Sequence, residues 1–285
     1  MKPVLSQKAQ NFRRVMSPVR QIMMYADPVH FKKLGLKPEA VISFAGGWVN
    51  HQAPSGLQKA YQEIIADDAL MHLSGGCSPT LGLPTCREAL VKYEQEVYGT
   101  QDLDADQIAI GASSTQLLAD LLRVLLDGDD KILLLDPAYC TYQPQIVTAT
   151  DSEIIRFPEL DVETWEYRAD QQIDAFVDLL QRERPKMVLL TSPDNPTSQI
   201  LSHRFVQAAH QAVSDYGGFL VMDFAYKDLV FDEDKIPEYF SWGPTDNFLS
   251  LHSNSKWSRS LGRRLGWLEA GADIIQALDS IQSSN

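Results

Sequence analysis

The chain has 285 residues, of which 44% are hydrophobic and 22% are charged, and its 38 acidic and 25 basic residues give a formal net charge of -13. A chain of this length and apolar content can bury a substantial core, which argues against disorder and allows one large domain or two smaller ones. The acidic excess argues against nucleic acid and anionic lipid as partners.

The N-terminal residues and the cysteines narrow the class of protein further. The opening segment MKPVLSQKAQNFRRVMSPVRQ lacks the apolar core of a signal peptide, and no later segment is long and apolar enough to span a bilayer. We therefore expect a cytoplasmic protein with no membrane segment. Cys77, Cys86 and Cys140 are odd in number and lack C-x-x-C spacing, so we expect neither a disulfide framework nor a metal site.

Short apolar runs alternate with longer stretches in which apolar residues recur three and four positions apart. The short apolar runs are DQIAIG, KILLLDPAY, KMVLLTSPDNPT, GFLVMDFAY and NFLSLHSNSK. The longer stretches that lie between them are STQLLADLLRVLLD, QIDAFVDLLQRER and HRFVQAAHQAVSDYG. This alternation predicts an α/β fold, with a mostly parallel central sheet and helices on both faces. In such sheets, ligands bind beyond the carboxyl ends of the strands.

Polar and aromatic side chains follow the apolar runs at three of these strand ends. Asp223 ends a strand that should be buried on both faces, where a carboxylate needs a partner, although a loop cap is the alternative. Asn195 stands beside Pro196, which also suits an ordinary turn. Tyr139 ends the DPAY segment, where a core aromatic with its hydroxyl at the rim is the alternative. These side chains should converge at one edge of the sheet.

Two stretches have the composition of an anion site. Ser114 and Thr115 stand where a helix begins, so they are candidate caps, but the same geometry offers free amides and a positive dipole end to a phosphate. Residues 254–266, NSKWSRSLGRRLG, carry one lysine and three arginines without an acidic residue. A solvated surface is the usual explanation of such a stretch, yet in an acidic chain it also indicates a pocket for a small anion.

These features suit one cofactor, pyridoxal 5'-phosphate. They supply a lysine for a Schiff base, an acid for a pyridinium nitrogen, a phosphate cup, a stacking aromatic and donors for a phenolic oxygen. Six segments follow one another along the chain, namely VISFAGG at 41–47, CSPTLGLPTCREAL, DPAYCTY, SPDNPTS, DFAYKD and SNSKWSRSLGRRLG. In these segments and their order, and over nearly its whole length, the chain resembles the fold type I pyridoxal-phosphate enzymes of the class I/II, aspartate aminotransferase-like group.

The resemblance implies an enzyme, an aminotransferase that moves an amino group between an α-amino acid and a 2-oxo acid through a Lys256 aldimine. Its catalytic residues would be Lys256, Asp223 and Tyr226. Lys256 would also carry the α-proton, and Asp223 would keep the ring nitrogen protonated. Tyr226 and Asn195 would donate to the phenolate oxygen, and Tyr139 would stack on the ring.

The resemblance also implies contacts to the phosphate and the substrate. Arg264 lies eight residues after Lys256, which is the family's spacing for a phosphate-binding arginine and selects it over Arg263. Gly46 and Gly47 match a segment that approaches the substrate carboxylate through backbone groups, with a flexible turn as the alternative. The remaining phosphate-binding positions would be Ser114, Thr115, Gln116 and Ser253.

Other functions stay open on the sequence alone. Lys256 and Asp223 would equally serve a β-lyase, a decarboxylase or an oxidase, because the reaction depends on which α-bond lies perpendicular to the ring. A truncated or degenerate scaffold that binds the cofactor without catalysis is a further alternative. The sequence does not identify the substrate's side chain.

The chain departs from the family in two places. Cys77 stands where many relatives have a tyrosine that reaches the partner subunit's phosphate. The chain also stops at DIIQALDSIQSSN, where relatives continue into a small domain with an arginine for the substrate's α-carboxylate. We therefore expect residues 1–45 to form an N-terminal arm and partial small domain, residues 46–270 the cofactor-binding large domain, and residues 271–285 the start of a helix that leads to the missing domain. The family resemblance further implies a homodimer.

Overall fold

A seven-stranded sheet forms the centre of the computed structural model, which describes residues 4–6, 9–10, 18–25, 27–42, 49 and 51–284. The strands lie side by side in the order β1-β7-β6-β5-β4-β2-β3. β7 is antiparallel to both of its neighbours, and the other strands all run in one direction. Their bounds are β1 Ile108–Gly111, β2 Lys131–Asp136, β3 Glu153–Pro158, β4 Met187–Thr191, β5 Phe219–Asp223, β6 Phe248–Ser253 and β7 Gly266–Glu269.

Helices connect the strands and cover the sheet. Within the described ranges, no helix is long and apolar enough to cross a membrane. Short 3-10 turns occupy Pro38–Ala40, Ala105–Gln107, Asp170–Gln172, Lys227–Leu229, Glu233–Lys235 and Glu238–Ser241. The α-helices are α1 Pro18–Met24, α2 Pro28–Lys33, α3 Ser55–Ala66, α4 Asp68–Ser74, α5 Pro84–Tyr98, α6 Ser114–Leu125, α7 Tyr142–Ala149, α8 Ile173–Glu183, α9 His203–Tyr216 and α10 Ala272–Gln282.

The core lies on both faces of the sheet because successive residues of each strand point to opposite sides. In β2, Ile132 and Leu134 pack with α6 and α10 on one face, whereas Leu133 and Leu135 pack with α8 and α9 on the other. Every residue of β4 is buried, as expected of a central strand that is covered on both faces. The predicted fold, a mostly parallel α/β sheet between two helical layers, is thus confirmed.

The carboxyl ends of the parallel strands meet at one edge of this sheet. Thr191 at the end of β4 pairs in register with Asp223 at the end of β5. Ser253, at the end of β6, pairs with Gly266, the first residue of β7. A Cβ atom at Gly266 would lie 2.5 Å from the amide nitrogen of Ser114, so only glycine lets β7 approach the first turn of α6 this closely.

The predicted domain boundaries stay a prediction. Gly46 and Gly47, which were expected to face the substrate carboxylate, lie outside the described residues. At the other end of the chain, α10 packs Ile275 and Leu278 against α6, in the core of one sheet face. Over its described length, α10 therefore contributes to the cover of the large sheet.

Candidate active site

A cavity of about 300 Å³ lies at the edge where the strands end. The fold brings together there side chains that lie far apart in the sequence. Nine of the predicted cofactor-binding residues line it: Ser114, Thr115, Tyr139, Asn195, Asp223, Tyr226, Ser253, Lys256 and Arg264. The rest of its described lining is Tyr142, Thr191, Ala225, Ser255 and Leu261.

Asp223 presents a buried carboxylate to this cavity from the end of β5. Its side chain accepts a hydrogen bond from the Ala225 amide at Oδ1, at 2.9 Å, and one from the Tyr142 hydroxyl at Oδ2, at 2.8 Å. Burial raises the pKa of Asp223, and these two hydrogen bonds oppose the rise. Because the carboxylate is buried, it interacts strongly with a neighbouring charge, and a cation bound beside it would be stabilised in its charged form.

Tyr142 is a site residue that the motifs did not single out. It lies on the first turn of α7, and its hydroxyl also shares a hydrogen bond of 2.7 Å with Oγ1 of Thr191. Its ring packs edge-on against Tyr139 with the ring centroids 5.4 Å apart. The sequence feature that could have identified Tyr142 as a site residue is its spacing, because it stands three residues after Tyr139 in the same DPAYCTY segment.

Lys256 extends into the cavity from the turn that follows β6. Its ammonium nitrogen lies 5.1 Å from the centroid of the Tyr226 ring. Burial lowers the pKa of Lys256, because a partly desolvated ammonium is less stable than one in water. A lysine with a lowered pKa holds more of its amine in the neutral, nucleophilic form, which is the form that attacks an aldehyde carbon.

Tyr226 and Asn195 place two polar groups side by side on the cavity wall. The Asn195 side-chain amide donates to the Tyr226 hydroxyl at 3.2 Å, so both lie within reach of one acceptor atom. Burial, followed by the charge of Asp223, raises the pKa of Tyr226 and keeps its hydroxyl protonated. The pair is thus arranged to donate hydrogen bonds to an oxygen anion.

The groups suited to a phosphate gather where β1, β6 and β7 meet. Ser114 and Thr115 form the first turn of α6, whose free amides and positive dipole end favour an anion. Ser253 accepts a hydrogen bond from the Ser255 amide at 3.2 Å. Arg264 adopts a left-handed backbone conformation with φ of 54° just before β7, and its side chain lines the same cavity.

Gln116 does not line the cavity, although it was predicted to be near the phosphate. Its side-chain oxygen accepts from the Ala112 amide at 2.8 Å, and its side-chain nitrogen donates to Asp120. The side chain of Gln116 therefore stabilises the loop between β1 and α6. Any contact of this residue with a phosphate would come from its backbone amide.

A second group of buried polar side chains lies close to the cavity, between α5, β6 and β7. Lys227 contacts Oε2 of Glu94 at 2.6 Å, and the His252 ring lies 3.6 Å from Glu94 and 3.4 Å from Glu269. Trp267 donates to Glu269 at 3.0 Å. The two carboxylates and the histidine have the spacing of metal ligands. The lysine ammonium, however, already neutralises Glu94, so the protein supplies its own cation there. No motif predicted this cluster.

The chemistry of the cavity fits pyridoxal 5'-phosphate. The buried carboxylate of Asp223 suits a cationic ring nitrogen, and the start of α6 with Arg264 suits a phosphate. Lys256 opens on the same cavity and suits an aldehyde. Fold and site together define the large domain of a fold type I pyridoxal-phosphate enzyme.

Comparison with protein families gives the more specific assignment. The profile of the family described as aminotransferase class I and II matches residues 45–285. The chain belongs to this family, which confirms the resemblance seen in its motifs. Pyridoxal 5'-phosphate is accordingly its expected cofactor.

Individual relatives differ in the substrates for which they are named. The chain is 22% identical over 247 residues to an aspartate aminotransferase of Pyrococcus horikoshii, covering 87% of this chain and 60% of the relative. It is 30% identical over 179 residues to histidinol-phosphate aminotransferase 2 of Archaeoglobus fulgidus, covering 63% of this chain and 46% of the relative. The solved structure of Thermus thermophilus aspartate aminotransferase with maleate superposes with a TM-score of 0.81 at 18% identity, covering 100% of this chain and 69% of that one. The chain thus spans about half to two thirds of the length of the curated relatives that it matches.

Proposed function

We propose that this chain forms the cofactor-binding part of an aminotransferase that moves an amino group between an α-amino acid and a 2-oxo acid. One observation carries the proposal: Lys256, with its lowered pKa, and the buried carboxylate of Asp223 line a single cavity with the start of α6. Bound pyridoxal phosphate supplies an aldehyde carbon and a ring that withdraws electrons from the substrate's α-carbon.

Asp223 and Lys256 would perform the central tasks. The carboxylate of Asp223 would hold a proton on the ring nitrogen, because separating that charge pair in a buried site is costly. The neutral amine of Lys256 would be the covalent attachment point. The amine of Lys256 would also be the base that takes the proton from the substrate's α-carbon and holds it for return to the substrate–cofactor pair.

The other lining residues would bind and orient the cofactor. Tyr226 and Asn195 would donate to its phenolic oxygen, and Tyr139 would pack against its ring. Arg264 and Ser253 would bind the phosphate at the start of α6. The same arrangement would also serve other α-carbon reactions, so the assay must detect amino transfer itself.

The proposal includes a homodimer. Helices α3 and α4 bury none of their residues, and they expose a group of large apolar side chains: Tyr61, Ile65, Leu70, Met71 and Leu73. Such a patch is typical of a protein interface. The guanidinium of Arg263 lies 5.7 Å from the Tyr61 ring centroid, so this face adjoins the loop that carries Arg264. Sedimentation of the wild type should give a dimer and that of Ile65→Glu a monomer, whereas a monomeric wild type would contradict the proposal.

The test of function has two stages. Borohydride reduction of the pyridoxal-phosphate-loaded protein followed by peptide mapping should place the adduct on Lys256. Lys227 is the internal control, because its ammonium is held by Glu94 at 2.6 Å. In a separate, unreduced sample, adding an amino-acid donor should produce the corresponding 2-oxo acid. Adding a second 2-oxo acid should then restore the absorbance of the pyridoxal-phosphate-loaded protein. An adduct on another lysine, or a donor consumed without this return, would contradict the proposed function.

A further inference from the structure

A second and larger cavity, of about 760 Å³, adjoins the first. The two cavities share five residues of their lining, namely Tyr139, Asn195, Tyr226, Lys256 and Leu261. On the proposed function, a substrate bound to the amine-reactive centre at Lys256 extends its side chain into this second cavity. We call it the side-chain chamber. Its volume is within the range of small-molecule sites and suffices for a large amino-acid side chain.

The walls of the side-chain chamber are mainly apolar. One wall is a face of α1, and another is formed by the last residue of the 3-10 turn beyond Tyr226 and the residues that follow it. Pro193, Pro196 and Ile200, from the loop after β4, also line the chamber. The apolar contacts from the first two walls come from Val19, Ile22, Met23, Leu229, Val230 and Phe231.

Besides Lys256, the chamber is lined by charged groups that already have partners within the protein. The Asp194 carboxylate accepts from the amide of Thr197 at 3.0 Å and from its hydroxyl at 2.7 Å. Asp232 forms an ion pair of 3.2 Å with Lys235 and also accepts from the Asp234 amide at 3.3 Å. Among the described residues of the lining, none is an arginine. A carboxylate or an ammonium on the substrate's side chain would thus lose water, while the charged groups that it could contact are already bonded.

We propose that the side-chain chamber selects α-amino acids with large apolar side chains, aliphatic or aromatic, over those with a second charge. This inference rests on the proposed function and names its substrate class. Each methylene group that enters the chamber should improve binding about fourfold. A charged side chain of similar size should bind about tenfold or more weakly, because its charge loses water to apolar walls without gaining a new partner.

Binding of unreactive acids tests the inference without requiring turnover. Isocaproate, hydrocinnamate and glutarate would be titrated into the pyridoxal-phosphate-loaded protein and followed by calorimetry. The two apolar acids should bind at least about tenfold more tightly than glutarate. Equal or tighter binding of glutarate would overturn the inference. If no donor is transaminated but the apolar acids still bind more tightly, the proposed function fails and the chamber's preference stands.

A charge placed in the chamber gives the second test. Ile22 lies on the chamber wall, whereas its neighbour Gln21 is exposed and outside the lining. Ile22→Arg therefore places a positive charge inside the chamber, and Gln21→Arg places the same charge on the same helix outside it. Ile22→Arg should shift the ratio of hydrocinnamate to glutarate affinity toward glutarate by about tenfold or more. Gln21→Arg should leave the ratio unchanged. Equal shifts in the two variants, or an unchanged ratio in a folded Ile22→Arg protein, would overturn the inference.

Discussion

The hydroxyl of Tyr142 links Asp223 to Thr191: it donates to the Asp223 carboxylate at 2.8 Å and shares a hydrogen bond of 2.7 Å with the threonine. The last residues of two neighbouring strands are thereby joined through the first turn of α7. Each carboxylate oxygen can accept more than one hydrogen bond, so Tyr142 can orient Asp223 and still leave acceptor capacity for a ring nitrogen. On the proposed function, Tyr142 is therefore a positioning residue.

Tyr142→Phe should lower kcat of the loaded enzyme by about 10- to 100-fold, because a hydrogen bond to a charged group contributes about 1.5–3 kcal/mol. Burial raises the pKa of Asp223 and the Tyr142 bond opposes that rise, so the variant should also shift the acid limb of the kcat profile to higher pH. Tyr167→Phe is the matched control, since Tyr167 donates to the buried Glu159 at 3.0 Å. Equal profiles for wild type and Tyr142→Phe would contradict the positioning role.

Asp223→Asn should keep the cofactor but lose most α-proton removal. A neutral amide cannot balance a positive ring nitrogen, and the charge that this pair stabilises develops mainly in the transition state, so a loss of several orders of magnitude is expected. Exchange of the substrate's α-hydrogen with deuterated water, followed by NMR, measures this step. Asp136→Asn is the control, because Asp136 also ends a strand but lies outside the cavity lining. Near-normal exchange in Asp223→Asn would assign the ring nitrogen to another residue.

Gly266→Ala should weaken phosphate binding. The added Cβ would meet the Ser114 amide nitrogen at 2.5 Å and the His252 carbonyl at 2.7 Å, so β7 and the start of α6 must separate. Overpacking of this kind costs about 1–3 kcal/mol, which is roughly five- to 150-fold in affinity for pyridoxal phosphate if the strain falls on the phosphate cup. Gly262→Ala is the control, because its Cβ would meet nothing within 4 Å. The measurement is cofactor affinity by fluorescence titration, and equal affinities in the two variants would show that this close approach is not needed.

Glu159 should make the protein less stable at alkaline pH. Burial, with a further contribution from Asp194, raises its pKa from an ordinary 4.5 to about 8. Between these values the folded chain keeps a proton that the unfolded chain releases, so the free energy of unfolding falls as pH rises, by at most about 1.4 kcal/mol per pH unit. Glu159→Gln should flatten this decline in urea unfolding at pH 5 to 8, and Glu163→Gln, on an exposed residue, should not. A decline that survives in Glu159→Gln would point to another group.

The residues that the sequence could predict are those at the ends of apolar runs. Asp223 and Ser253 end strands and Asn195 follows one. Because parallel strands end at one edge of a sheet, the convergence of these residues needs no knowledge of distant contacts. The direction of a side chain is different. Gln116 turns toward Asp120 instead of the cavity, and that depends on the path of one loop.

Partnerships between distant segments were the other part that the sequence could not reveal. Glu94 lies on α5 and Lys227 beyond β5, and each alone resembles an ordinary exposed charge. Only the packing of α5 against the sheet shows that they are bonded. Tyr142 was closer to prediction, because it stands three residues after Tyr139 in the same segment, but its bond to Asp223 depends on how α7 is placed.

The pairing of Glu94 with Lys227 also limits how this chain can change over generations. Both side chains are at most 3% exposed and lie 2.6 Å apart, so losing either one leaves a buried charge without its counterion. Such a loss typically costs about 3–5 kcal/mol, whereas replacing both with apolar residues of similar volume is often neutral. Substitutions at these two positions should therefore appear together in descendant sequences, and each position alone should resist drift.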